Sequence, residues 1–246
     1  MRYLILSDIH SNLEALEAVL EAAEGEYDRI LCCGDLVGYG ADPGAVVDWA
    51  QTHVSYCIRG NHDRAMFRKE DLEWFNPVAS ASAVWNRNAL SEKQLRYLRN
   101  LPAGPQMVDG FMLFHGAPQD EDDYLLNIEA VRACEPHLTA QLSFFGHTHW
   151  QGGFRLFRSA TRPIPKVSNS DSEAALDLSG SEFFLINPGS VGQPRDADPR
   201  AAFCIYSSHE KTVRYRRTNY DVEGAQKKIL AAGLPPVLAR RLGAGF

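Results

Sequence analysis

With 246 residues, 45% of them hydrophobic and 23% charged, the chain has the composition of an ordinary soluble globular protein with enough apolar residues for a sizeable core. A net charge of −6 argues against broad electrostatic binding to nucleic acid or anionic membrane, so a polyanionic substrate would need local positive charge. There is no 18-residue apolar run, Asp8 interrupts the apolar start too soon for a secretory signal, and the five cysteines include no CxxC pair; a cytoplasmic protein with buried, reduced thiols is expected.

In chain order, Arg2–Ser7 is a run without alternation, as expected of a strand covered on both faces, and it delivers Asp8-Ile9-His10 at its end. Ser11 or Asn12 can cap a helix with apolar residues at Leu13, Leu16, Val19 and Leu20, and Gly25 stops it. Arg29–Cys33 is the next strand and ends at Gly34-Asp35, which makes a β-α-β unit with a parallel pair. Asp42-Pro43 opens a second helix running towards His53. Val54–Ile58 is a third strand, leading to Arg59-Gly60-Asn61-His62-Asp63. Three successive strands thus carry polar, ligand-type residues at their carboxyl ends, where open α/β sheets bind their ligands.

Residues 64–101 read as mostly helical, a lid or flank with no chemistry of its own. Gln106–Val108 and Phe111–Phe114, split by Asp109-Gly110, give the strongest hairpin signal, and the second strand ends at His115-Gly116. The acidic run 119–123 reads as a solvated loop. Leu142–Phe145 is a short buried strand leading into Gly146-His147-Thr148-His149, and Gln151–Phe157 resembles another. Residues 158–181, polar and rich in proline and serine, read as an irregular excursion. Glu182–Ile186 resumes as a strand and runs into the segment from Asn187 to Arg195. Ala201–Ser207 and Thr212–Arg217 read as a closing hairpin, with helical pieces at 221–232 and 235–243. With no repeats and no low-complexity linker, one domain over 1–246 is expected.

Asp8, His10, Asp35, Asn61, His115, His147 and His149 together offer two carboxylates, one amide oxygen and four imidazoles. That is more than one tetrahedral site needs, and it contains no thiolate, which speaks against a closed structural zinc site. Imidazole mixed with carboxylate suits first-row metals such as zinc, manganese or iron. Seven ligands divide into two clusters if one carboxylate bridges, and metals ~3.5–4 Å apart are a common device for phosphoryl hydrolysis.

These motifs, Asp8-x-His10, Gly34-Asp35, Gly60-Asn61-His62-Asp63, His115 and Gly146-His147-Thr148-His149, resemble the full set of the calcineurin-like metallophosphoesterases, in the family's order. The resemblance implies a four-layer α/β/β/α sandwich of two mixed sheets flanked by helices. It implies two divalent or trivalent first-row ions, with Asp8, His10 and His149 on one, Asn61, His115 and His147 on the other, and Asp35 bridging. It also implies phosphoester hydrolysis by a metal-activated water, with His62 as the general acid and Asp63 beside it among the catalytic residues. The phosphoprotein phosphatases of the family carry an arginine in a Gly-Asp-x-x-x-Arg-Gly loop, where this chain has Tyr39, and their tetrad ends in Glu rather than Asp63. Ser7-Asp8-Ile9-His10-Ser11-Asn12 and the 187–195 segment look more like the small bacterial phosphodiesterase and diadenosine tetraphosphatase-like group. A small phosphorylated substrate, with nucleotides among the candidates, is expected, and Arg195, Arg64 and Tyr39 are candidate contacts to it. Arg59, next to the tetrad, is ambiguous between a substrate contact and a structural role. The competing reading is a catalytically silent partner-binding module of the same fold, like the related retromer subunit; such proteins lose motif residues, and none is missing here.

Overall fold

Along β1 (Arg2–Leu6) the side chains alternate between two apolar environments: Leu4 and Leu6 join one cluster of buried residues, Tyr3 and Ile5 another. Both faces of this strand are therefore covered. The computed structural model describes residues 1–158 and 160–246. After β1 come α1 (Leu13–Ala22), β2 (Arg29–Cys32), α2 (Pro43–His53), β3 (Val54–Cys57), the single-turn α3 (Asn61–Ala65), α4 (Pro77–Ala89) and α5 (Glu92–Asn100). Then follow β4 (Gln106–Val108), β5 (Phe111–Leu113), α6 (Ile128–Cys134), β6 (Leu142–Phe144), β7 (Gly152–Phe157), β8 (Ala160–Ile164) and β9 (Glu173–Asp177). The chain closes with β10 (Phe183–Asn187), β11 (Ala201–Ser207), β12 (Thr212–Thr218), α7 (Val222–Ala231) and α8 (Pro236–Ala244).

Two mixed six-stranded sheets result, ordered β3-β2-β1-β11-β12-β9 and β4-β5-β6-β10-β7-β8. Parallel pairing holds across β3, β2 and β1 in the first sheet, and across β5, β6 and β10 in the second. Between the sheets lie Tyr3, Ile5, Leu31 and Tyr215 from the first with Phe111, Leu113, Phe144 and Phe184 from the second. Outside the first sheet, Leu4, Leu6, Ile30 and Phe203 pack against Leu16 and Val19 of α1, Val46 and Val47 of α2, and Leu98 of α5. Outside the second, Met112, Phe154 and Leu185 pack against Val131 and Cys134 of α6. This is the expected four-layer sandwich. Helix starts follow local chemistry: Asn12 accepts from Ala15 N ahead of α1, and Ser91 and Gln94 form a capping box at α5.

The excursion at 158–181 departs from its irregular reading. It supplies β8 to the edge of one sheet and β9 to the edge of the other. Pro163 obscured β8, since proline argues against a strand except at a sheet edge, which is where β8 lies. In β9 the sequence Glu-Ala-Ala-Leu-Asp alternates exposed and half-buried positions, too weak a pattern to read without its partner β12. All five cysteines are free and buried. Among the described residues no helix is long and apolar enough to cross a membrane.

Candidate metal centre

The parallel strands point their carboxyl ends the same way, so the loops after β1, β2 and β3 meet those after β5, β6 and β10. Main-chain hydrogen bonds join them: Asp8 N donates to Gly34 O (3.0 Å), His10 N to Asp35 O (3.0 Å), Gly146 N to His115 O (2.9 Å) and Gly192 N to Asp8 O (3.0 Å). Aiming the side chains inward strains the backbone. Asp8, His10, Ser11, Asp35, Tyr39, His147 and His149 all have φ between 50° and 65°, leaving only four other described non-glycine residues with positive φ. Each left-handed residue costs about 1 kcal/mol or more, which persists only where the surroundings over-determine the conformation. Glycines give the carboxylates room: a Cβ on Gly60 would lie 2.1 Å from Asp35 Oδ1, and one on Gly146 2.8 Å from Asp8 Oδ2.

All seven expected ligands converge and are buried, none more than 9% exposed. One ligand atom from each of Asp8, His10, Asp35 and His149 falls within 4.8 Å of the others, and the same holds for Asp35, His115 and His147. Asp35 belongs to both groups, with its Oδ2 3.5 Å from His10 Nε2 and 3.3 Å from His115 Nε2. Asn61, the first residue of α3, brings its Oδ1 to 3.3 Å from His115 Nε2.

The proton positions follow from the partners, because a carbonyl oxygen only accepts. His10 Nδ1 donates to Val37 O (2.9 Å), His115 Nδ1 to Cys33 O (2.8 Å), and His149 Nδ1 to Gln193 O. His147 is turned the other way, its Nε2 donating to Asp122 O (3.1 Å). Each ring is thereby pinned by one nitrogen and turns the other towards the ligand cluster, which is how metal-ligating histidines are oriented. The free Nε2 atoms of His10 and His149 stand 3.1 Å apart, and Asp8 Oδ1 lies 3.4 Å from the latter. Lone pairs so concentrated are reconciled by a cation. The donor set, nitrogen and oxygen without sulfur, fits a first-row metal.

Electrostatics distinguish the rings. Burial pushes His10 and His149 well below the ordinary histidine value, and His147 down to about 3, so all three are neutral donors. For His115 burial opposes the charged form, but Asp35 outweighs it and raises the ring to about 10. Asp35 is held well below the usual carboxylate range, its burial overcome by His115, His62 and His10. Burial raises Asp8 to about 7.

The remaining site residues divide. His62 lines a cavity of about 460 Å³ together with Asn61, His147 and Tyr39; its Nε2 lies 3.1 Å from the Tyr39 hydroxyl, and its Nδ1 is buried without a partner. Asp63 does not face that cavity. Its carboxylate accepts from the backbone amides of Asp35 (2.9 Å), Leu36 (2.9 Å), Val37 (3.2 Å) and Gly60 (3.0 Å), so it positions the loop that carries Asp35. Arg64 lines the cavity, but its guanidinium is committed to Asp71, Glu121 and Asp122, and Arg59 is committed to Glu121. The acidic run is accordingly an ion-paired rim and not merely a solvated loop. Arg195 differs, because among the described residues it pairs with no carboxylate. Its Nη2 donates to the Tyr39 hydroxyl (3.1 Å) and Gln193 Oε1 (3.1 Å), and its Nε is unpartnered.

Sequence reading missed three contributors. Asn86 of α4 ties the loops together: its Oδ1 accepts from Ser11 Oγ (2.6 Å) and Gly38 N (3.1 Å), and its Nδ2 donates to Gly40 O (3.1 Å). Tyr124 lays its ring on His147, with centroids 3.9 Å apart. Trp74 stands at the cavity mouth, 89% exposed. The first and last lie in the 64–101 stretch read as a lid or flank, and neither has a local sequence signal.

Comparison with known proteins gives a consistent result. The domain described as calcineurin-like phosphoesterase superfamily matches residues 1–211. An uncharacterized protein of Methanocaldococcus jannaschii is 31% identical over 98% of this chain and 97% of its own length. The crystal structure of a metallophosphoesterase from Sphaerobacter thermophilus matches with a TM-score of 0.87 and 36% identity, covering 100% of this chain and 99% of that one. A hypothetical protein from Pyrococcus horikoshii has the same fold at 18% identity, with a TM-score of 0.78 and coverage of 100% and 98%.

Proposed function

The chain belongs to the calcineurin-like phosphoesterase superfamily and is a metal-dependent phosphoesterase, and we propose that it works with two ions on a small phosphorylated substrate, as a phosphodiesterase or nucleotide phosphatase. The observation that carries this reading is Asp35, whose carboxylate belongs to both ligand clusters. Asp8, His10 and His149 would hold one ion, and Asn61, His115 and His147 the other, with Asp35 shared between them. Manganese, iron and zinc all suit the donors. Bound in such a site, these metals supply Lewis acidity and acidify water towards neutral pH.

The protein's own groups complete the chemistry. Arg195, which among the described residues pairs with no carboxylate, is the proposed contact to a phosphoryl oxygen. His62 is the proposed proton donor to the departing oxygen. The Tyr39 hydroxyl, which receives a hydrogen bond from Arg195, holds the His62 ring in place. The buried, unpaired thiols fit a cytoplasmic location.

The test is to load the full chain with manganese, measure bound metal, and assay bis-p-nitrophenyl phosphate and p-nitrophenyl phosphate. Two ions per chain and hydrolysis are expected. His62→Ala should keep its metal and lose about 10²–10⁴-fold on alkyl esters, and much less on activated aryl esters. Equal losses on both would remove His62 from the acid role. Full metal content with no hydrolysis of either compound would favour a partner-binding module instead.

A further inference from the structure

Beyond the proposed metal site, the cavity of about 460 Å³ has an aromatic wall: Trp74, Phe75, Tyr39 and Tyr124 line it together with Asn61, His62 and His147. Of its charged lining groups, Arg64 is paired with both Asp71 and Asp122, and Asp71 pairs also with Arg68, so among the described residues the lining holds no unpaired cation. Among the aromatic residues lining the cavity, Trp74 is 89% exposed and Tyr124 47% exposed. Tyr124 is packed on the His147 ring, and Phe75 lies against His62 with centroids 4.6 Å apart, so the wall is continuous with the site floor. Asn76 adds a polar group: its Oδ1 is occupied by Val78 N and Ala79 N (both 3.0 Å), which leaves its amide nitrogen to donate.

We propose that this cavity is a base-binding subsite and that the leaving group of the reaction is a nucleoside, its base stacked on Trp74. The proposal rests on the phosphoesterase reading above and deepens it. The direction follows from His62, which shares the cavity wall: the departing oxygen must be within reach of the proton donor, so what occupies the cavity is the alcohol that leaves. The volume lies within the range of small-molecule sites, roughly 300–1,000 Å³. A planar base gains from stacking on an aromatic face without a specific hydrogen-bond pattern, by roughly 1–3 kcal/mol, or about 5–150-fold. A bare ribose or glycerol has no π face and packs on the indole less strongly than a base does.

The experiment compares adenosine 5′-monophosphate with ribose 5-phosphate, and the methyl diesters of both, on the manganese-loaded full chain. The two series differ only in the base. A wild-type preference for the adenosine compounds in kcat/KM is expected. Trp74→Ala should shrink that preference about ten-fold, and Trp74→Phe should restore most of it. An unchanged ratio in Trp74→Ala, or no preference in the wild type, overturns the proposal. Should the chain hydrolyse none of these compounds, the phosphoesterase reading is at fault, and binding then decides the subsite. Adenosine 5′-monophosphate, and not ribose 5-phosphate, should quench tryptophan fluorescence, and the quench should vanish in Trp74→Ala; quenching that persists in that variant, or none in the wild type, overturns it.

Discussion

The floor of the site and its rim are built by opposite means. On the floor, Asp8, His10, Asp35, His115, His147 and His149 are buried; His10, His115 and His149 are fixed by main-chain carbonyls of the floor loops, and His147 alone leans on a rim carbonyl, that of Asp122. At the rim, Arg64 is held by side chains alone, Asp71, Glu121 and Asp122, and Asp122 is half exposed. A main-chain carbonyl cannot change rotamer, whereas the Arg64–Asp122 pair, with Asp122 half exposed, contributes little and opens more readily. The contrast assigns rigidity to the part that holds cations and adaptability to the part that meets the substrate.

The comparison breaks most visibly at Asp35. Asp35→Asn keeps the shape and removes the shared negative charge, so metal content should fall and turnover should drop by more than ~100-fold, the loss associated with weaker outer-sphere changes. Elemental analysis alongside kinetics checks this, and full metal occupancy with normal turnover would contradict the shared role. Asp63→Ala is next. It strips the acceptor from four buried amides, at about 3–5 kcal/mol in stability, measurable as a shift in the denaturant midpoint. A midpoint that does not move would make Asp63 incidental to the floor.

The smallest effect belongs to the rim. Glu121 is held below the ordinary glutamate value of 4.5: burial opposes its ionisation, but hydrogen bonds from Arg59 and Arg64 outweigh that. A depressed carboxyl pKa stabilises fully above the unfolded value, and the contribution is lost as pH falls through the lower, folded one. Acidifying below pH 4.5 should therefore raise hydrogen exchange in residues 119–127 before it does so in β1 and β2. Simultaneous loosening would erase the distinction between floor and rim.

The same contrast decides what could be read beforehand. Each floor ligand follows an apolar run, so strand ends and chemistry coincide in the sequence, and the motif order completes the assignment. Rim contacts have no such address. Arg64 stands next to the Asn61-His62 pair and so looked available to substrate, but its partner Glu121 comes 57 residues later. Asn86 sits in mid-helix with nothing local to mark it, yet it fastens the loops after β1 and β2. Asp63 was legible as part of a motif but not in its role, because its partners are amides 26–28 residues earlier and one three residues before it.

The chain between β7 and β10 supplies the outermost strand of both sheets. Asp8, Asp35 and Asn61 come from one of those sheets, and His115, His147 and His149 from the other, so any slippage between the layers would pull the two halves of the cage out of line. The segment acts as a hasp on one flank, and ions seated in the cage would rivet the other.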